Sequence, residues 1–174
     1  DSLEAATVLD VLVESLSRGG KGATGEARAL AERAVAIKQA LLGEDSLGLA
    51  ASLIQLAIVL RESGDYGASE ASFLRAAGIQ ERNLGASDLD LAKTLNSLAI
   101  LYVRAGTPGK ARPMFERALK IREDRLGPDH EDLGPVIGNL AEVLRDLGDY
   151  AAARPLLQRA VELRERTLGG DHPE

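Results

Sequence analysis

The stretch LAKTLNSLAILYVRAGTPGKARPMFERALKIREDRLG, residues 91–127, reads as two α-helices joined by a turn. Leu91, Leu95, Leu98, Ala99 and Tyr102 step by three and four, which is one face of a helix. Phe115, Ala118, Leu119 and Ile121 make a second such face, and Gly106 stands between the two. Outward from this segment the chain repeats itself: Leu-Gly recurs at 42–43, 84–85, 126–127 and 168–169, each copy 42 residues after the last. Ala57, Ala99 and Ala141 share a column, as do Gly64, Gly106 and Gly148, and Arg33, Arg75, Arg117 and Arg159. A period between 20 and 50 residues marks a solenoid, whose units bury their apolar faces only by stacking.

The small residues have a physical role, because a one-carbon side chain at Ala99 or Ala118 lets two helix axes approach to roughly 8–10 Å. Asp65-Tyr66 and Asp149-Tyr150 follow the turn glycines. Each aspartate is expected to cap the next helix, and each tyrosine ring to fill the gap between helices. Thr107-Pro108 replaces that pair in the middle unit, with threonine as the expected cap and proline at the first helical position. Pro113 and Pro155 lie inside the expected second helices, where a kink near each helix start is predicted.

With these columns in place, the pattern L-A-x-x-Y/L-x-x-x-G-D-Y-x-x-A-x-x-x-x-x-R-A-L/V-x-I resembles the tetratricopeptide repeat. The common unit has about 34 residues, whereas the 42-residue spacing and segments such as KARPMFERALKIREDRLGPDH resemble the longer units of kinesin light chains and their bacterial relatives. The resemblance covers essentially the whole chain and implies an all-α, right-handed superhelical solenoid of antiparallel helix pairs. The expected organisation is a single solenoid over 1–174, with repeats at about 1–43, 44–85, 86–127 and 128–169 and the start of a further one at 170–174. The first repeat fits only with two extra residues in the loop GGKGATG, whose glycines suggest a loose turn. The closing GGDHPE restarts a linker and reads as the threshold of another unit, as in a piece of something longer.

Composition suits a scaffold of this kind. A chain of 174 residues that is 45% hydrophobic can bury roughly 70% of its unfolded surface. No apolar run approaches the roughly 20 residues of a membrane span, so no membrane is expected as a partner. The absence of cysteine excludes disulfides, thiolate metal sites and cysteine nucleophiles, and fits a reducing, cytoplasmic setting. The net charge of −6 argues against nucleic acid. His130 and His172 share a column with Ser46 and Asp88, which suggests an N-cap rather than a metal ligand. The glycines from 19 to 25 lack the spacing and the preceding strand of a phosphate loop. No catalytic residues, metal or cofactor are therefore expected, and the chain is read as no enzyme.

Function is then expected in the concave groove, which the resemblance implies is lined by the first helices. Family groove positions fall on Ile54, Gln55, Ile58 and Arg61 in the second repeat, and on Lys93, Asn96, Ile100, Val103 and Arg104 in the third. Asn139, Glu142 and Arg145 follow in the fourth, and Asp10 and Val11 are among the first repeat's positions. Ile54, Ile58, Ile100 and Val103 lie off the core face yet are apolar, as a contact surface requires. The amides can bond a bound backbone, and Arg61, Lys93, Arg104 and Arg145 favour a peptide carrying Asp or Glu. The expected activity is that of a protein-interaction scaffold for a short peptide. Two alternatives are the sensor or regulatory arm of a larger multidomain protease, nucleotide-switch protein or kinase, and a self-assembling architectural module. Self-association is expected through the last helix, where Leu157, Val161 and Leu163 are candidates for exposure.

Overall fold

A computed structural model describes residues 2–168. Eight helices follow one another: α1 (Leu3–Arg18), α2 (Gly25–Leu42), α3 (Leu47–Glu62), α4 (Tyr66–Leu84), α5 (Leu89–Arg104), α6 (Pro108–Leu126), α7 (Leu133–Asp146) and α8 (Tyr150–Leu168). The described residues contain no strand. The chain forms two compact units, Asp1–Ala86 and Ser87–Glu174. In the first, α1 packs on α2, α3 on α4 and α2 on α3; in the second, α5 packs on α6, α7 on α8 and α6 on α7.

The turn inside each repeat is built the same way. After α3, Gly64 adopts φ +82°, its N–H donates to the Arg61 carbonyl, and the Asp65 N–H donates to the Leu60 carbonyl at 2.9 Å. This pair of bonds satisfies the last carbonyls of the helix and requires a left-handed residue, which glycine supplies without steric cost. The same pair recurs at Gly20, Gly106 and Gly148. Asp65 then accepts from the Ala68 N–H, and Asp149 from the Ala152 N–H, so one residue closes a helix and opens the next.

Small residues set the helix spacing as expected: Ala57, Ala99, Ala141, Ala76 and Ala118 are fully buried. Ser69 of α4, in the column of Ala27, Ala111 and Ala153, donates to the Ala57 carbonyl of α3 at 2.7 Å. The two-residue offset of the first repeat also holds, since Leu3–Arg18 and Leu47–Glu62 are helices of equal length 44 residues apart. Helices α6 and α8 run through Pro113 and Pro155.

Several local expectations are corrected. Thr107 makes no side-chain cap; its hydroxyl donates backwards to the Tyr102 carbonyl at 3.1 Å. The N-cap column works at Ser46 and Asp88, which accept from Leu49 and Asp90. In the fourth repeat it does not, because α7 begins only at Leu133 and His130 Nδ1 instead accepts from the Asp132 N–H at 3.2 Å. His172 lies outside the described residues. The rings of Tyr66 and Tyr150 do not fill inter-helix gaps, since both are exposed, Tyr150 by 68%. The first turn is tightly placed at one point: Gly22 is buried, and a Cβ there would meet the Glu62 carboxylate and the Ser17 hydroxyl.

Within each unit, arginines of the second helices reach across to the neighbouring repeat. Arg28 reaches Asp65 at 3.2 Å and Arg112 reaches Asp149 at 3.4 Å. The guanidinium pKa values of Arg28 and Arg112 are raised, first of all by their hydrogen bonds to Glu32 and Glu116. Arg75 bonds Gln39 and Glu44, while Arg159 bonds Glu123 and the Pro128 carbonyl.

Candidate functional site

Each unit presents its part of the candidate surface on first helices. On α3, Ile54, Gln55, Ile58 and Arg61 stand at helical spacing and all are half-buried. Ile54 packs on the cluster of Leu49, Ala50, Leu53, Ala76 and Ile79, so part of its surface belongs to the core.

Asp10 of α1 is already engaged. Lys38 Nζ of α2 lies 2.5 Å from its Oδ2, and Ser52 of α3 donates to the same oxygen at 2.8 Å. The Lys38 and Asp10 side chains are only 10% and 16% exposed, which makes this a cross-brace of three helices rather than a ligand contact. Lys38 is absent from the sequence-based set because its column also holds Gln80, Arg122 and Arg164, with nothing to mark the first member as buried.

In the second unit, α5 carries a continuous stripe. Lys93 and Arg104 are exposed, Asn96 and Ile100 are half-buried between them, and Val103 is 40% exposed. On α7, Asn139 is half-buried and Glu142 and Arg145 are exposed. Lys93 pairs with Asp90 at 2.8 Å and Arg145 with Asp146 at 3.5 Å, and each partner is at least 49% exposed. Pairs so exposed contribute roughly 0–1 kcal/mol, so a ligand carboxylate can displace either acid. The stripe thus combines an apolar anchor, two-way amide hydrogen bonding and exchangeable cations.

A cleft of about 690 Å³ lies between α7 and α8. Gly134, Pro135 and Gly138 line one side, and Leu157, Val161 and Arg164 the other. Leu157 and Val161 are 46% and 56% exposed, as expected. Leu163 is not: it is 4% exposed, because its column, with Ile37, Ile79 and Ile121, faces the first helix of the same repeat. Among the described residues no group of three His, Cys, Asp or Glu is arranged to hold a metal ion, and no helix is long and apolar enough to cross a membrane.

Comparison with known proteins agrees with this geometry. Tetratricopeptide-repeat family profiles match residues 18–82 and 52–124, and a second such profile matches 136–174. Among solved structures, BtubC (BKLC) from P. vanneervenii is similar with a TM-score of 0.86 at 26% identity, over 97% of this chain and 66% of that one. A putative kinesin light chain from Podosopora anserina with nearly identical TPR-like repeats gives 0.86 at 22% identity, over 99% and 81% of the two chains. The apo form of RapI gives 0.81 at 17%, over 96% and 58%. The shared fold class is an all-α solenoid of antiparallel helix pairs. No curated protein sequence matches the chain.

Proposed function

Because the chain belongs to the tetratricopeptide-repeat family, in its kinesin light chain-like form, and is thereby a protein-interaction scaffold, we propose that it holds a short peptide carrying Asp or Glu along its first helices. The observation that supports this most directly is the α5 stripe, where Val103 is exposed beside Arg104 and one helical turn from Ile100. A peptide side chain seated on Val103 and Ile100 supplies the apolar gain. Lys93, Arg104 and, on α7, Arg145 select the charge, while Asn96 and Asn139 bond the ligand backbone.

A panel of short Leu-rich peptides, matched except for Glu or Lys at the polar positions, tests the reading. The acidic members are expected to bind, to weaken as salt rises, and to weaken again in the Lys93→Glu, Arg104→Glu double variant with its melting temperature unchanged. Equal binding of acidic and basic peptides, or indifference to the charge reversal, overturns the selection of acid.

A further inference from the structure

Glu14 of α1 and Arg18, four residues further on, form an ion pair at 2.7 Å. The repeat register carries these two positions to Ile58 and Glu62 on α3, to Ile100 and Arg104 on α5, and to Glu142 and Asp146 on α7. In the second unit the pair is thus divided between two helices. Helix α5 keeps the cation, with isoleucine in the acid's place, and α7 keeps the acid, with a second acid in the cation's place. Two acids at that spacing on a helix repel each other.

Among the described residues neither Arg104 nor Glu142 has an ion-pair partner. The other cations of this surface differ, since Lys93 pairs with Asp90 and Arg145 with Asp146. Arg104 and Glu142 do not reach each other either, although α5 and α7 both pack on α6. Both residues are exposed, and half-buried Asn139 stands one turn before Glu142. A neighbouring first helix does not cover the acid's position, because Glu14 keeps 45% of its side chain exposed while α3 packs against α1.

We propose that the peptide held along the first helices carries a base as well as an acid, the acid meeting Arg104 on α5 and the base, Lys or Arg, meeting Glu142 on α7. This rests on the reading of the first helices as a peptide-binding surface and adds a second charge requirement to it. A peptide with both charges supplies across two helices the partners that Glu14 and Arg18 find on one. A wholly acidic peptide satisfies Arg104 but sets its remaining acids against Glu142 and Asp146. Mixed charge is therefore selected both by attraction and by the repulsion of its competitor.

Four Leu-rich peptides of one length test this when titrated onto the whole chain by fluorescence anisotropy. At two polar positions, set at several spacings, they carry Gln and Gln, Glu and Gln, Gln and Lys, or Glu and Lys. The peptide with Glu and Gln is expected to bind more tightly than the one with two Gln, which reports the preference for acid. The peptide with Glu and Lys is expected to bind about three- to fivefold more tightly again, the contribution of one exposed ion pair. In Glu142→Gln the second gain is expected to vanish while the first remains. Asp146→Lys, which gives Glu142 a partner of its own four residues on, is expected to remove the second gain too, with the helical circular dichroism melt unchanged. No advantage of Glu and Gln over two Gln overturns the acid-selecting surface and this inference with it. A preference for acid with no further gain from Lys at any spacing overturns the base at Glu142 alone, as does a gain that persists in Glu142→Gln.

Discussion

The Ser69 hydroxyl donates to the Ala57 carbonyl oxygen at 2.7 Å, joining the two helices of one repeat within the core. A side chain that short reaches a neighbouring backbone only where the helices are nearly in contact. Ser69→Ala should cost about 1 kcal/mol through the lost hydrogen bond, whereas Ser69→Leu should add an overpacking cost of about 1–3 kcal/mol. Ala99→Leu and Ala118→Leu should show the overpacking cost alone. Urea melts of these variants check the ranking, and melts that coincide with the parent would place the helix interface elsewhere.

Helix capping should divide the repeats into two classes. Asp149→Ala removes the acceptor for the Ala152 N–H and should lower stability by about 1 kcal/mol. Asp132 makes no side-chain cap, so Asp132→Ala should stay within about 0.5 kcal/mol of the parent. Equal losses in thermal melts would show that the two aspartates do the same work.

The Lys38–Asp10 pair should respond asymmetrically. Asp10→Ala leaves a poorly hydrated ammonium without its partner, for which a cost of about 3–5 kcal/mol is expected at full burial. With 10% and 16% of the two side chains exposed, the lower end applies. Joint replacement by Lys38→Met and Asp10→Leu should recover most of the loss. A double-mutant cycle measures this, and additive losses would show that the charges do not interact.

Val103 should carry more of any ligand affinity than the other apolar members of the surface. Ile54, Ile58 and Ile100 are half-buried in the folded chain, so binding hides less new area on them. Val103→Asp should weaken binding of an acidic, Leu-rich peptide by about tenfold or more, the equivalent of one desolvated valine. Fluorescence anisotropy reads the change.

The helices and their pairing were legible in the sequence because a 42-residue period shows each apolar face several times over. Glycine at 64, 106 and 148 was legible for the same reason, since only a left-handed position recurs as glycine. What escaped depended on a single copy. Thr107 has the right chemistry for a cap, but its hydroxyl finds the Tyr102 carbonyl first. His130 occupies a capping column in a linker whose helix begins later than its counterparts, at Leu133. Tyr150 is large and apolar enough for a core, yet lies outside the packed seam. Of the candidate surface, the positions on α3, α5 and α7 followed from the repeat register, whereas the engagement of Asp10 by Lys38 and Ser52 required three helices to be placed in space.

The arginine pairs between repeats also define how the chain can be taken apart. Arg28–Asp65 and Arg112–Asp149 are the same pair displaced by 84 residues, and so are the bonds of Arg75 to Gln39 and of Arg159 to Glu123. The second repeat carries Glu70 where the others carry Arg28, Arg112 and Arg154, and the third carries Thr107 where the even ones carry Asp65 and Asp149. A lone 42-residue repeat is therefore not an interchangeable part, since moving one sets unmatched side chains against each other. Each two-repeat block carries both kinds of bond within itself, so the pair of repeats rather than the single one is the smallest piece that keeps its own stitching.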